Sequence, residues 1–166
     1  VEEVNYQRRV LRFSSHLRTA YRSGPDSVAV GYTPGRPGGG GVRNHLLALK
    51  DYSRYSVILF PEQETLYRAE RDGLEHCLRR WYGDLDVSHF PVVHSHVDPG
   101  FIGCCSRAQA RGSMWVHTYH TLYFESDWGG ELEPWQERIN TALLTEARKA
   151  DIRIAISPWL HRVLKE

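Results

Sequence analysis

Four of the nine histidines in this 166-residue sequence sit where they could act together. His94 and His96 stand two apart in Val92-Val93-His94-Ser95-His96, with Asp98 just beyond. His117 and His120 close the run Val116-His117-Thr118-Tyr119-His120. Residues two apart on a strand share a face, so His94 and His96 point the same way. Imidazole suits zinc and similar ions. Neither His-Glu-x-x-His nor a paired-cysteine spacing occurs, however, and on a flat strand His117 and His120 face opposite sides. Ligand spacing therefore argues against a metal, and none is expected. The other use of these side chains is hydrogen bonding, since neutral imidazole can donate to sugar hydroxyls or orient a phosphate. For His94 and His117 a satisfied position inside a sheet is the preferred reading. Ser157 precedes Pro158 and reads as a helix cap, and no Gly-x-Ser-x-Gly nucleophile elbow is present. Cys104 and Cys105 read as packing on a helix face.

A second chemical feature lies upstream. Val28-Ala29-Val30 runs into a Gly- and Pro-rich loop, Gly31 to Gly41, and then into a helical pattern with Val42, Leu46, Leu47 and Leu49. Gly40 and Gly41 carry no Cβ, so a ligand can approach their backbone. The helix beginning there offers unpaired N–H groups and the positive end of its dipole, which suits a phosphate or diphosphate. The spacing matches neither Gly-x-Gly-x-x-Gly nor a P-loop, and a flexible surface loop is the plain alternative.

These features need elements to hold them. Residues 1–22 read as a helix with Tyr6, Val10, Phe13, Leu17 and Tyr21 at helical spacing and five arginines elsewhere. Such a helix admits peripheral contact with an anionic membrane; packing on its own domain is preferred. Ser23-Gly24-Pro25-Asp26 breaks it. Tyr55 to Phe60 is a nearly continuous apolar run, as expected of a strand buried on both faces. Leu66 to Trp81 suggests one or two helices, weakened near Gly73. Val92 to His96 reads as a strand, followed by a helix capped by Asp98 with Pro99 in its first turn, ending near Gly112. Ser113 to His120 is a further strand. A mobile loop is expected from Thr121 to Glu133, then a long helix from Pro134 to Ala150 with Ile139, Leu143, Leu144 and Ala147 inward. Ile152 to Ile156 is the last strand, and a closing helix carries Leu160, Val163 and Leu164.

Strands alternating with helices imply a three-layer, Rossmann-like α/β sandwich: a mainly parallel sheet of about five strands, covered on both faces, with right-handed crossovers and an extra N-terminal helix. We divide the chain into an N-terminal helix and linker, 1–26, and one domain, 27–166. In such sheets ligands bind outside the carboxyl ends of the strands. The glycine loop, His96 with Asp98, His117 with His120, and Ser157 all fall on that rim. The net charge of +1 gives no case for nucleic acid. Three cysteines, two of them adjacent, imply no disulfide framework and fit a reducing, cytoplasmic setting. No apolar run reaches membrane-spanning length and no signal peptide is visible.

The motifs together resemble a known family. Gly40-Gly41-Val42 with His45 and Leu46 resembles the Gly-Gly-hydrophobic-x-x-His opening of family 4 glycosyltransferases, which have the GT-B fold. Val92 to His96 is similar to that family's His-x-His strand, Val116 to His120 to its valine–threonine–histidine strand end, and Ala150 to Ser157 to its alanine–aspartate … serine strand. The likeness spans roughly Ser27 to the end, in order, and leaves the first 25 residues outside. The run of four glycines departs from the pattern.

The resemblance implies the N-terminal, acceptor-side half of a retaining, hexosyltransferase-type enzyme. Such an enzyme moves a sugar from a nucleotide diphosphate sugar to a carbohydrate or lipid-linked acceptor, usually without a metal or other cofactor. The donor-binding C-terminal domain, with its Glu-x7-Glu motif, is expected as a further part of the same chain. By the same resemblance Gly40 and Gly41 would lie at the donor diphosphate and His120 would face the transferred sugar as the catalytic contact. We add His96, Asp98 and Ser157 as substrate-binding candidates from their place on the rim. The enzyme is expected in the cytoplasm, with membrane association on the cytoplasmic face left open. Two other readings stand beside this one: a stand-alone Rossmann-like domain for a nucleotide or phosphorylated ligand, and a His-metal hydrolase.

Overall fold

Short runs of Val, Ile, Leu and Phe, each closed by Gly, Pro or a polar cap, become the strands of one sheet. The computed structural model describes residues 2–17, 23–31, 41–61, 65, 68–69 and 71–165. In chain order the elements are α1 (Glu2–Leu17), β1 (Ser27–Gly31), α2 (Gly41–Tyr52), β2 (Ser56–Phe60), α3 (Glu75–Asp84), β3 (Val92–Ser95) and α4 (Pro99–Gln109). They continue with β4 (Met114–Tyr119), α5 (Glu125–Trp128), α6 (Pro134–Thr141), β5 (Ile152–Ala155) and α7 (Pro158–Val163). All five strands are parallel, in the order β2-β1-β3-β4-β5. The architecture is thus the Rossmann-like α/β fold expected from the sequence. Of the glycine-loop candidates Gly40 lies outside the described residues, as does Tyr21 at the far end of the N-terminal stripe.

Alternation along the strands divides the core in two. Ala29, Val93, Trp115 and Tyr119 face α4 and the end of the α6 segment, meeting Phe101, Ile102, Cys105, Leu143 and Ala147. Val30 and Leu59 point to the other side, where Phe13 of α1, Leu46 of α2, and Cys77 and Leu78 of α3 close over them. Phe13 is fully buried, and Tyr6 and Val10 pack beside it, so α1 lays its apolar stripe on the domain. The close fit of β1 to α4 depends on Gly31: a Cβ there would overlap the Phe101 ring, 2.6 Å from Cγ.

Polar anchors set the strand ends. Asp98 Oδ1 accepts from Phe101 N at 3.0 Å and Ser157 Oγ from Leu160 N at 3.1 Å, so both caps read in the sequence form. Asp151 ties β5 to its neighbours, its Oδ2 accepting from Trp115 N at 2.8 Å and its Oδ1 from Gln109 Nε2 at 3.0 Å. The Trp115 N–H, more than any charge, holds this carboxylate below its ordinary range.

The structure corrects three expectations. The long helix over 134–150 is interrupted: after α6 the chain forms a π turn, Ala142–Glu146, and a 3-10 turn, Ala147–Lys149. The wider π turn shifts the side-chain register, so Leu143 and Ala147 are buried while Leu144 faces solvent. The expected loop over 121–133 contains α5, ended by Gly129 in the left-handed region (φ 69°), where glycine suffers no Cβ clash. Cover on both faces fails at β5, an edge strand whose Ile152 and Ile154 are exposed. Smaller shifts place the ends of β3, β4 and β5 one residue before His96, His120 and Ile156, and the end of α4 before Gly112. No described helix is long and apolar enough to cross a membrane.

Candidate functional site

In the strand order β2-β1-β3, the chain leaves β1 toward one side and returns past it to β3 on the other. Helices on either side of this reversal diverge and open a crevice at the carboxyl ends of β1 and β3. Gly31 ends β1, Gly41 and His45 stand in the first turns of α2, and His96 follows β3 directly. His120 follows β4, the next strand along.

Three imidazoles meet there. The ring centroids of His45 and His96 are 5.5 Å apart, those of His45 and His120 5.2 Å, and those of His96 and His120 5.1 Å. His96 Nδ1 and His120 Nε2 share a hydrogen bond of 2.9 Å. His96 is 1% exposed, while His45 and His120 are half-buried. The Nε2 atoms of His45 and His96 are buried and find no hydrogen-bond partner among the described residues.

Behind this cluster His94 Nε2 bonds Thr118 Oγ1 at 2.8 Å, and its ring lies 4.3 Å from that of His96. Burial, and then the charges of neighbouring imidazoles, push His94 and His120 down to about 4. Burial drives His96 well below its ordinary value. Near neutral pH these rings are uncharged, each with one donor and one acceptor nitrogen.

His117 belongs elsewhere. It is fully buried on the opposite face, where Nδ1 shares a 2.7 Å hydrogen bond with Ser95 Oγ. Ser95 Oγ also accepts from Trp115 Nε1 at 2.7 Å. Burial is the main reason its value falls to about 3. His94 and His117 thus both take hydrogen-bonded places in the sheet.

Of the residues singled out from the sequence, the fold brings together His96 and His120, with the N-terminus of α2 at Gly41 on the same rim. A Cβ at Gly41 would meet nothing within 4 Å among the described residues. Asp98 lies two residues from His96, but its Oδ1 is engaged in capping α4, and burial raises its value above the usual carboxylate range. Ser157 caps α7 at the end of β5, a strand further along the rim. His45 is not among the site candidates drawn from the sequence: the Gly-Gly-hydrophobic-x-x-His motif includes it, but the histidine spacings considered for a metal lie on the strands, and His45 stands in α2. The cysteines offer no nucleophile here, since Cys104 and Cys105 are buried and burial pushes the Cys104 thiol up to about 12.

Among the described residues the site is therefore a crevice with the start of α2, carrying Gly41 and His45, on one wall and the neutral His96 and His120 on the other. It can accept an anionic group at the helix N-terminus, and a hydroxyl group or a metal ion at the imidazoles. Comparison of the chain with protein families, curated proteins and solved structures finds no match.

Proposed function

We propose that this chain is the acceptor-side half of a retaining glycosyltransferase that takes its sugar from a nucleotide diphosphate donor. The observation that carries the reading is the meeting of His45, His96 and His120 beside the start of α2, at the point where the strand order reverses. These residues come from three of the motifs whose order along the chain resembles family 4 glycosyltransferases.

The chemistry assigns each part a role. As the sugar departs, the nucleoside diphosphate gains negative charge. N–H groups at the start of α2, aimed at that charge, stabilise the transition state more than the ground state. His120 hydrogen-bonds hydroxyls of the transferred sugar, and His96 holds His120 in place through the 2.9 Å contact. Neutral imidazoles suit this work, because each offers both a donor and an acceptor to a sugar. Asp98 and Ser157 support the rim as helix caps, and their backbone neighbours are candidate acceptor contacts. A second Rossmann-like domain completes the cleft in this reading.

Expressing the complete reading frame and measuring nucleoside diphosphate release from a panel of nucleotide sugars tests the proposal. We expect acceptor-dependent release with retained anomeric configuration, and none from residues 1–166 alone. Gly41→Val and His120→Ala should each lower turnover on the order of a hundredfold, about 3 kcal/mol of lost transition-state contact, with unchanged thermal melting. Turnover near normal in both variants, or robust transfer by residues 1–166, overturns the assignment.

A further inference from the structure

We propose that His45, His96 and His120 form a binding site for a single zinc-like divalent ion, with a position left open toward the crevice. Each ring offers one nitrogen, and the three ligand atoms lie within 4.8 Å of one another. In a tetrahedral zinc site with Zn–N near 2.0–2.1 Å, ligand nitrogens stand roughly 3.4 Å apart. Closing the cluster therefore takes side-chain movements of about an ångström, within the reach of small χ adjustments at the half-buried His45 and His120.

Three further observations favour an ion. First, the Nε2 atoms of His45 and His96 are buried without a partner among the described residues. An unmatched buried polar atom is unfavourable, and a metal ion would satisfy it. Second, the ligands are imidazoles, the ligand type that suits zinc, copper, nickel and iron, with no carboxylate among them to favour calcium or magnesium. Third, the surroundings supply outer support: His94 packs 4.3 Å from the His96 ring and is itself fixed by Thr118 Oγ1 at 2.8 Å. Ligands held by neighbours in this way keep their orientation before the ion arrives.

Three protein ligands are one short of zinc's usual four. The fourth falls to water or to an oxygen of whatever occupies the crevice. The spacing argument made from the sequence considered pairs within one strand. The ligands here come from α2 and from the residues directly after β3 and β4, where separation along the chain carries no information about distance. The inference does not rest on the transferase reading, and it departs from the metal-free chemistry that the family resemblance implies.

The test uses the purified chain, stripped with a chelator and then titrated with Zn2+ by calorimetry and with Co2+ by its visible absorption. We expect one ion per chain, with tetrahedral cobalt bands. His45→Gln, His96→Gln and His120→Gln should each weaken Zn2+ at least tenfold. His117→Gln, which alters a buried histidine outside the cluster, should leave the affinity within twofold. Circular dichroism of each variant separates lost ligation from lost folding. If His96→Gln unfolds, the two half-buried positions decide. Absence of stoichiometric binding overturns the proposal, and so does an affinity unchanged in folded His45→Gln and His120→Gln. The titration contains no donor sugar, so its failure leaves the transferase assay untouched, and failure of that assay leaves this one untouched.

Discussion

At the scale of single residues, the same side-chain type does different work a few ångströms apart. His120 and His96 line the crevice, while His117, three residues before His120, is sealed in the opposite core layer against Ser95 and Trp115. That burial has a consequence for pH. The unfolded chain protonates His117 near the ordinary 6.5, whereas the folded protein does so only near 3. Below 6.5 the unfolded state binds more protons, so the stability present at pH 7 is lost as pH falls toward 3. Between pH 7 and pH 5 this group alone should account for a loss of about 2 kcal/mol. Urea unfolding of metal-stripped protein at the two pH values measures it, and His117→Gln should reduce the drop by about that amount. An equal drop in the variant would show that other groups titrate instead. The two glycines flanking the loop also differ in kind. Gly31 has Phe101 against it and serves packing, whereas a Cβ at Gly41 would meet none of the described residues. Nothing in a row of glycines distinguishes these cases, because the difference lies in what the fold places opposite each one.

At the scale of elements, α1 shows what its apolar stripe is for. Phe13 is fully buried among Val30, Leu46 and Leu59, while Leu11, two residues earlier, is 69% exposed. Phe13→Ala should therefore destabilise the protein by about 3–4 kcal/mol, and Leu11→Ala by under about 0.5 kcal/mol. Denaturant midpoints read both, and equal small effects would show that α1 does not belong to the core. Elements with strong local signals were legible in the sequence. β2 and β3 were visible as apolar runs, and Asp98-Pro99 and Ser157-Pro158 marked helix starts that the structure places at those residues. The π turn at Ala142–Glu146 was not legible, since its residues are ordinary helix formers and the widening shows only in which leucine is buried. α5 has only four residues, too few for a periodic pattern, and the exposure of β5 depends on its place at the sheet edge, which composition does not encode. The convergence of the strand ends was legible from topology, but the contact of His45 with His96 and His120 was not, because His45 stands in α2 and its distance to the strand ends is set by tertiary packing.

At the scale of the whole molecule, the sheet and α3 are shared by both core layers. One layer joins β1, β3, β4 and the end of β2 at Phe60 to α4, the π turn and Tyr82 of α3; the other joins β1 and β2 to α1, α2 and the Cys77–Leu78 side of α3. Trp81 of α3 packs against both, beside Phe60 in the first layer and among the residues that border the second. Neither layer can open without exposing a face of β1, which pairs with β2 on one side and β3 on the other. Parallel pairing adds to this coupling, because each strand is held by neighbours distant in sequence and no hairpin can persist alone. Loss of one layer should therefore carry the other with it. We predict that residues 1–166 unfold in urea in a single transition, seen at the same midpoint by far-ultraviolet circular dichroism and by tryptophan fluorescence. Trp115, fully buried, reports the first layer in the fluorescence signal, while the helices of the second layer weigh on the dichroism. Coincident transitions are the mark of two-state behaviour. A dichroism change that begins well before the fluorescence change would show that the α1–α2 layer peels off independently. The site would then be at risk before the core, because α2 carries Gly41 and His45 while β3 and β4 carry the supports of His96 and His120.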